Sequence, residues 1–350
     1  MNQPSLTTTA KEDCEYILRE CQTEFKDLAG KTIMITGSTG FVGRSLLESA
    51  LWYNEMTTGE GCHLLLPVRN RSKLSGILAG RTQGVEIISW DKEGSFDPNP
   101  EFDMLIHAAS PSDPRSYLSN PFQMTADTLK LTECVVRAAK KTEAEKMLYI
   151  SSGAVYGPQP NGMASISEDY LGGPDVATPL SCYGEAKRCS EVLCLHSGVP
   201  SISARLFSFV GPYQDLRSSF AVPNFINSGL HGKDIVVKGD GSQVRGYCYA
   251  SDLCCALWKL LLGDTKHIIY NVGSDRFQID IMHLARLIAD SFDGIDVRVL
   301  GREDPQTIGT QAGRYVPDIT RLKSIYEPKI DIEEGLRRTI AHHIIEADQS

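Results

Sequence analysis

The chain has 350 residues, 41% hydrophobic and 23% charged, which excludes disordered and fibrous classes and allows a substantial core. Forty-four acids against thirty-five Lys plus Arg give a net charge of −9, which argues against nucleic acid or anionic lipid as a partner. The most apolar run, residues 253–262, is interrupted by Lys259, and Lys11, Glu12, Asp13 and Glu15 stand where an export signal needs an apolar block.

Residues 14–28 place Cys14, Ile17, Leu18, Cys21, Phe25 and Leu28 at helical spacing with Gly30 as a stop, predicting an N-terminal amphipathic helix. Its narrow apolar face and acidic polar face suit a packing or dimer element better than a membrane anchor. From Lys31, short apolar runs at 32–36, 63–68, 85–88, 104–109, 146–151, 201–206 and 267–272 alternate with helix-like stretches at 42–52, 122–140 and 183–195. That alternation predicts a doubly wound parallel α/β sheet with helices on both faces. Gly, Pro and Ser are frequent from 211 to 241, and helices return at 251–262, 279–292 and 332–346. The organisation expected is an N-terminal helix (1–30), a dinucleotide-binding domain (31–206, rejoined by 245–273) and an interleaved C-terminal substrate lobe (207–244 and 274–350). Ten cysteines contain no C-x-x-C pair and no ligand quartet of workable spacing, so reduced thiols in a cytoplasmic protein are expected, with no metal.

The first apolar run leads at once into Gly37-Ser38-Thr39-Gly40-Phe41-Val42-Gly43 and then a helix. A tight strand-to-helix turn aims free backbone N–H groups and the positive helix end at one spot, and glycines leave room for a pyrophosphate. The second run ends at Arg69-Asn70-Arg71-Ser72-Lys73. An acid there would hold the adenosine ribose and repel a 2′-phosphate; three cations favour NADP over NAD. Asp91, after the third run, is a candidate for the adenine, and Ala108, Ala109 and Ser110, closing the fourth, are assigned to the cofactor.

Tyr183 and Lys187, four residues apart, share one face of a helix. A phenol titrating near pH 10 is a poor base, but an ammonium neighbour and a positive nicotinamide ring stabilise its phenolate. Tyr183 then takes a proton from a hydroxyl while hydride leaves the same carbon. Upstream, the run at 146–151 ends in Ser151-Ser152-Gly153-Ala154-Val155-Tyr156-Gly157.

The G-x-x-G-x-x-G turn, the serine and the Tyr/Lys pair, in that order, resemble the extended branch of the short-chain dehydrogenase/reductase superfamily, whose members act mostly on nucleotide-activated sugars. The resemblance implies a Rossmann fold, a homodimer through the helices at 122–140 and 183–195, and Ser152 as the hydroxyl bridging Tyr183 and the reacting oxygen. It covers roughly nine-tenths of the chain. In the family's 4,6-dehydratases an acid pair follows that serine, and the nucleotide-sugar decarboxylases carry Glu at the second of those positions. Here they are Gly153 and Ala154. Glu168 is the conceivable substitute. Without proton carriers, elimination is disfavoured and redox at one carbon remains.

The stretch 205–212 is similar to the family's R-x-F-N-x-x-G-P, with Ser208 replacing the usual Asn, and 220–226, carrying Asn224, resembles the segment covering the nucleotide. Residues 239–245 match G-D-G-x-Q-x-R, implying that Arg245 grips the sugar diphosphate with its planar fork. Residues 314–318 also resemble a family landmark. The expected function is NAD(P)-dependent 4-epimerisation of a nucleotide-diphosphate sugar through a transient 4-keto sugar. The alternatives, in order, are an NADPH-dependent 4-ketoreductase, a 4,6-dehydratase, and a cofactor sensor without chemistry; a sensor should have lost the Tyr/Lys pair.

Overall fold

The computed structural model describes residues 6–90, 96–97, 100–111, 113–301 and 313–348. Helix α1 (Thr8–Glu20) is capped by the Thr7 hydroxyl, which accepts the Ala10 N–H, and is followed by a separate 3-10 turn at Glu24–Leu28. This corrects the single helix expected over 14–28. The break at Cys21 changes the phase, so that Phe25 meets Trp258 and Tyr53 edge-on at 5.3 and 5.4 Å while Cys14 and Ile17 remain buried along α1.

The chain continues through β1 (Thr32–Thr36), α2 (Phe41–Met56), β2 (His63–Val68), α3 (Arg71–Leu78), β3 (Val85–Trp90), a two-residue β4 (Phe96–Asp97) and β5 (Met104–His107). Helices α4 (Pro114–Leu118) and α5 (Pro121–Lys141) lead to β6 (Lys146–Ser152), a 3-10 turn at Gly153–Tyr156, α6 (Ser181–Leu195), β7 (Ser201–Leu206) and β8 (Ser208–Val210). Then come α7 (Ala221–Leu230), β9 (Ile235–Val237), β10 (Val244–Tyr249), α8 (Ala250–Leu262), β11 (Ile269–Val272) and β12 (Gln278–Asp280). Helix α9 (Ile281–Ala289), β13 (Val297–Val299), β14 (Arg314–Tyr315), α10 (Thr320–Lys323) and α11 (Ile332–Asp348) complete it.

Eight strands form the main sheet in the order β11-β7-β6-β5-β1-β2-β3-β4, parallel throughout except for the antiparallel β3–β4 edge. A parallel sheet must be covered on both sides, and the strands show how. Ile33, Ile35, Leu64, Leu66, Ile106 and Leu148 face Leu46, Leu47, Leu257 and Trp258 of α2 and α8. The alternate residues Met34, Leu65, Leu105, Met147 and Tyr149 face Val135, Ala139 and Cys194 of α5 and α6. Each such side chain contributes about 1.5–3 kcal/mol on burial.

The strand order reverses between β1 and β5: the chain builds outward to β4, then returns to the other side of β1. Such a reversal opens a crevice at the carboxyl ends of the two strands. Beside it, β10 pairs with β8, β12 and β14, β9 pairs with β13, and a second core gathers Phe225, Ile226, Leu284, Ile288 and Leu336. Among the described residues no helix is long and apolar enough to cross a membrane.

Candidate active site

The turn from β1 into α2 lies at that reversal. Gly37 has φ +72°, and a Cβ on it would press to 2.7 Å on the Ala108 carbonyl carbon and the Ala109 nitrogen. A Cβ on Gly43 would overlap the Gly37 carbonyl. Gly40 caps α2 without a side-chain hydrogen bond, so the helix end is free to receive an anion. Ser38 is 1% exposed, yet its hydroxyl has no hydrogen-bond partner in the protein. A buried unpaired hydroxyl costs about 1–3 kcal/mol, and a phosphate oxygen would relieve it. Thr39 and Val42 are half-buried, and the Phe41 ring packs on Phe209 at 5.2 Å. This turn fits the pyrophosphate of a dinucleotide.

Ala108 and Ala109 form the wall against Gly37, with the Ala109 N–H donating to Thr36 Oγ1 at 3.3 Å, and Ser110 follows, half-buried. Arg69 and Asn70 are exposed at the end of β2. Asn70 commits its side-chain oxygen to capping α3, accepting the Ser72 and Lys73 N–H groups. Arg71 donates to the Ile87 carbonyl at 2.9 Å. Asp91 lies outside the described residues.

The serine and the phenol meet at the end of β6. A Cβ on Gly184 would collide with the Ala154 carbonyl oxygen and come within 2.7 Å of Pro174, so glycine there lets the 153–156 turn sit directly on α6. Tyr183, the preceding residue, is thereby set beside the Ser152 side chain. Burial raises the Tyr183 pKa and the Ser152 hydroxyl pulls it back. Ser152 Oγ also accepts the Ala154 N–H at 3.1 Å. Lys187 donates to the Ile150 carbonyl at 2.7 Å, and its ammonium lies 5.9 Å from the Tyr183 ring centre and 5.0 Å from that of Tyr149. Burial lowers the Lys187 pKa to about 8.

Two residues to which the sequence assigned no role complete the region, one of them inside the 314–318 stretch. His107, at the end of β5, bonds Thr36 Oγ1 through Nδ1 at 2.8 Å and Thr132 Oγ1 through Nε2 at 3.1 Å. Thr132 in turn meets Ser190 Oγ at 3.0 Å, so β1, β5, α5 and α6 are joined by one buried polar chain. The only sequence signal was a histidine inside an apolar run followed by small residues. Tyr315, on β14, stacks on Phe207 with ring centres 4.7 Å apart, and its hydroxyl lies against Gly153, where a Cβ would overlap it.

On the substrate side, Arg245 and Tyr315 are register partners of β10 and β14, with the guanidinium 5.8 Å from the Tyr315 ring centre. Ser208 is half-buried on β8, paired in register with Tyr247, and Asn224 is exposed on α7. Arg205, which opens the R-x-F-x stretch, is turned into the core as a fork on Glu191 at 2.8 and 2.6 Å. Glu168 is also committed: it accepts the Asn271 N–H at 2.8 Å and lies 3.7 Å from Arg321. Among the described residues no group of His, Cys, Asp and Glu is arranged to hold a metal ion.

A glycine turn at a sheet reversal, beside a serine, tyrosine and lysine on one strand and helix, is the arrangement of an NAD-dependent enzyme of the extended short-chain dehydrogenase/reductase type. The chain belongs to the NAD dependent epimerase/dehydratase family, whose profile matches residues 33–273. It is 30% identical over 329 residues to the UDP-glucuronic acid decarboxylase 1 of Xenopus tropicalis, covering 89% of this chain and 71% of that one. Its fold resembles the UDP-N-acetylglucosamine 4-epimerase of Methanobrevibacter ruminantium M1, with TM-score 0.76, 23% identity and coverage of 91% of this chain and 99% of that one. It likewise resembles the Bacillus cereus UDP-glucuronic acid 4-epimerase, solved with UDP-glucuronic acid and NAD, with TM-score 0.75, 21% identity and coverage of 90% and 99%.

Proposed function

We propose that this chain is an NAD(P)-dependent nucleotide-sugar 4-epimerase working through a transient 4-keto sugar. The observation that carries the reading is the Tyr183 phenol set beside Ser152 and the Lys187 ammonium, next to two positions, Gly153 and Ala154, that hold no ionisable group. Tyr183 takes the proton of the sugar hydroxyl, Ser152 hydrogen-bonds the same oxygen, and the Lys187 ammonium favours the phenolate. The nicotinamide, when bound, supplies a reversible hydride acceptor for that carbon. Gly37, Gly40, Gly43 and Ser38 hold its pyrophosphate, and Arg245 binds the sugar diphosphate. The keto sugar turns over in the site and Tyr183 returns the proton after the opposite face is reduced.

A decarboxylase is the reading suggested by the relative from Xenopus tropicalis, and a dehydratase has a fold neighbour from Streptomyces venezuelae. Ala154 and the engaged Glu168 argue against both, because neither position offers a free proton carrier. The second reading is a 4-ketoreductase consuming NADPH, favoured by Arg69, Arg71 and Lys73 at the end of β2. We assign the cofactor to residues 31–206 with 245–273 and the substrate to 207–244 and 274–350. We further assign homodimerisation to the face of α5 and α6, where Phe122 and Val192 are exposed; sedimentation as a monomer at working concentration would remove that assignment.

The test is incubation of the purified protein with a panel of nucleotide sugars, following the reduced-nicotinamide absorbance and identifying products by NMR. Isomerisation at C4 without net redox supports the epimerase. Stoichiometric NADPH consumption with a 4-keto sugar supports the reductase, and loss of water or carbon dioxide overturns both.

A further inference from the structure

We propose that Asn271 is a positioning residue for the sugar: its buried side-chain amide ties the wall beside which the sugar lies to the turn that follows Ser152. The inference rests on the proposed function, in which Arg245 holds the diphosphate and Ser152 and Tyr183 meet the reacting carbon.

Asn271 lies on β11 and is fully buried. Its Oδ1 accepts the Tyr156 hydroxyl at 2.8 Å, and its Nδ2 donates to the carbonyls of Ile166 at 2.8 Å and Asp318 at 3.0 Å. Its backbone N–H donates to Glu168 at 2.8 Å. The two carbonyls can only accept, so they fix which end of the amide faces them and leave its oxygen for Tyr156. These bonds reach three segments far apart in the chain. Tyr156 ends the 153–156 turn, Ile166 and Glu168 belong to the connection from that turn to α6, and Asp318 follows β14.

The same segments border the site. Tyr315 stands between Arg245, its register partner on β10, and Gly153, against which its hydroxyl lies. A sugar reaching from a diphosphate at Arg245 to Ser152 therefore passes the stretch 315–318. Pairing with β10 covers only Arg314 and Tyr315. Beyond them the partner is the connection: the Val316 N–H donates to Gln159 Oε1 at 2.9 Å, the Ile166 N–H to the Val316 carbonyl at 2.9 Å, and the Asp318 N–H to the Ile166 carbonyl at 2.8 Å. Neither side of this bridge belongs to the main sheet, and Asn271 ties both sides to β11.

The other end of the amide leads to the base. Tyr156 lies 4.7 Å from the Arg205 guanidinium, which is forked on Glu191 of α6, the helix that carries Tyr183. The wall and the base thus share one buried polar scaffold. Loss of the amide takes a partner from the Asp318 carbonyl and from the Tyr156 hydroxyl, and the segments they belong to are freed from each other.

Two variants of the full-length chain test it. Asn271→Ala deletes the three side-chain bonds and keeps the backbone N–H on Glu168. Tyr156→Phe deletes one of them and keeps its ring beside Arg205. In Asn271→Ala the amides of Ile166 and Asp318 should exchange hydrogen about tenfold faster, with those of β1 and β5 unmoved. KM for the nucleotide sugar accepted in the panel should rise about tenfold, with kcat falling less than KM rises and NAD affinity unchanged. Tyr156→Phe should raise KM in the same direction and leave exchange at Ile166 and Asp318 as it was. Unmoved exchange in Asn271→Ala, or an unmoved KM beside a lowered thermal midpoint, overturns the inference and leaves the proposed function standing. If Asn271→Ala does not fold, Tyr156→Phe decides by its KM: a rise supports the inference and no change overturns it. A panel without turnover overturns the proposed function, and the role toward the sugar with it, whatever the exchange shows.

Discussion

Thr36 and His107 are register partners of β1 and β5, and their side chains are joined at 2.8 Å inside the sheet. The ring is fully buried with both nitrogens engaged, and burial, reinforced by the Lys187 cation, lowers its pKa to about 3. An unfolded histidine titrates near 6.5. Below about pH 6.5 the unfolded chain therefore takes up a proton that the folded one refuses until about pH 3. The stability is complete above that window and falls through it by about 1.4 kcal/mol per pH unit. His107→Gln, neutral at every pH, should lose this component. Between about pH 7.5 and about pH 4.5 its denaturant-derived stability should drop by about 3 kcal/mol less than that of the unsubstituted chain. Parallel losses in the two proteins would contradict the argument.

Ser38 supports a prediction with two opposite signs. Its buried hydroxyl is unpaired, so Ser38→Ala should stabilise the cofactor-free protein by about 1 kcal/mol. If the hydroxyl donates to a phosphate oxygen, the same change should weaken NAD binding about tenfold. Thermal unfolding and a fluorescence titration measure the two effects separately, and movement of both in one direction would refute the assigned contact.

The Glu191–Arg205 fork ties α6 to β7, with Ser203 donating to the same carboxylate at 2.8 Å and the guanidinium over the Tyr156 ring at 4.7 Å. Both side chains are nearly excluded from solvent. Removing one partner leaves the other charge buried alone, so Glu191→Ala should cost about 3–5 kcal/mol. Replacing both with apolar residues of similar volume should cost less than either single change. Urea unfolding of the three variants decides it; additive losses would mean that the charges do not act as a pair.

The sheet was legible because parallel strands buried on both faces read as short apolar runs, as Thr32–Thr36 does. The glycine turn and the Tyr183/Lys187 spacing were legible because their chemistry is local in the chain. The contacts of Tyr315 were not, although the 314–318 stretch stood out, since Phe207, on which its ring stacks, is 108 positions away and β14 reaches it only through its register on β10. Nor was the fate of Arg205 legible: the motif contains an arginine, but only the fold shows Glu191 opposite it. The N-terminal helix was misjudged because a 3-10 turn keeps Phe25 and Leu28 buried without continuing the 3.6-residue repeat.

Lys187 and Tyr183 make the last prediction. The ammonium donates to the Ile150 carbonyl at 2.7 Å, which fixes it within reach of the Tyr183 ring. Its pKa of about 8 means that the positive charge is present at neutral pH and lost in mildly alkaline solution. Lys187→Met removes the charge at all pH values and leaves the Ile150 carbonyl without its donor. Turnover with an accepted nucleotide sugar should fall about 10²–10⁴-fold, as it should in Tyr183→Phe, while NAD binding survives in the phenylalanine variant. Because the two groups act as one acid–base unit, the double variant should be no slower than the worse single one. Multiplicative losses in the cycle would show that Lys187 acts independently of the phenol, through the cofactor or the fold.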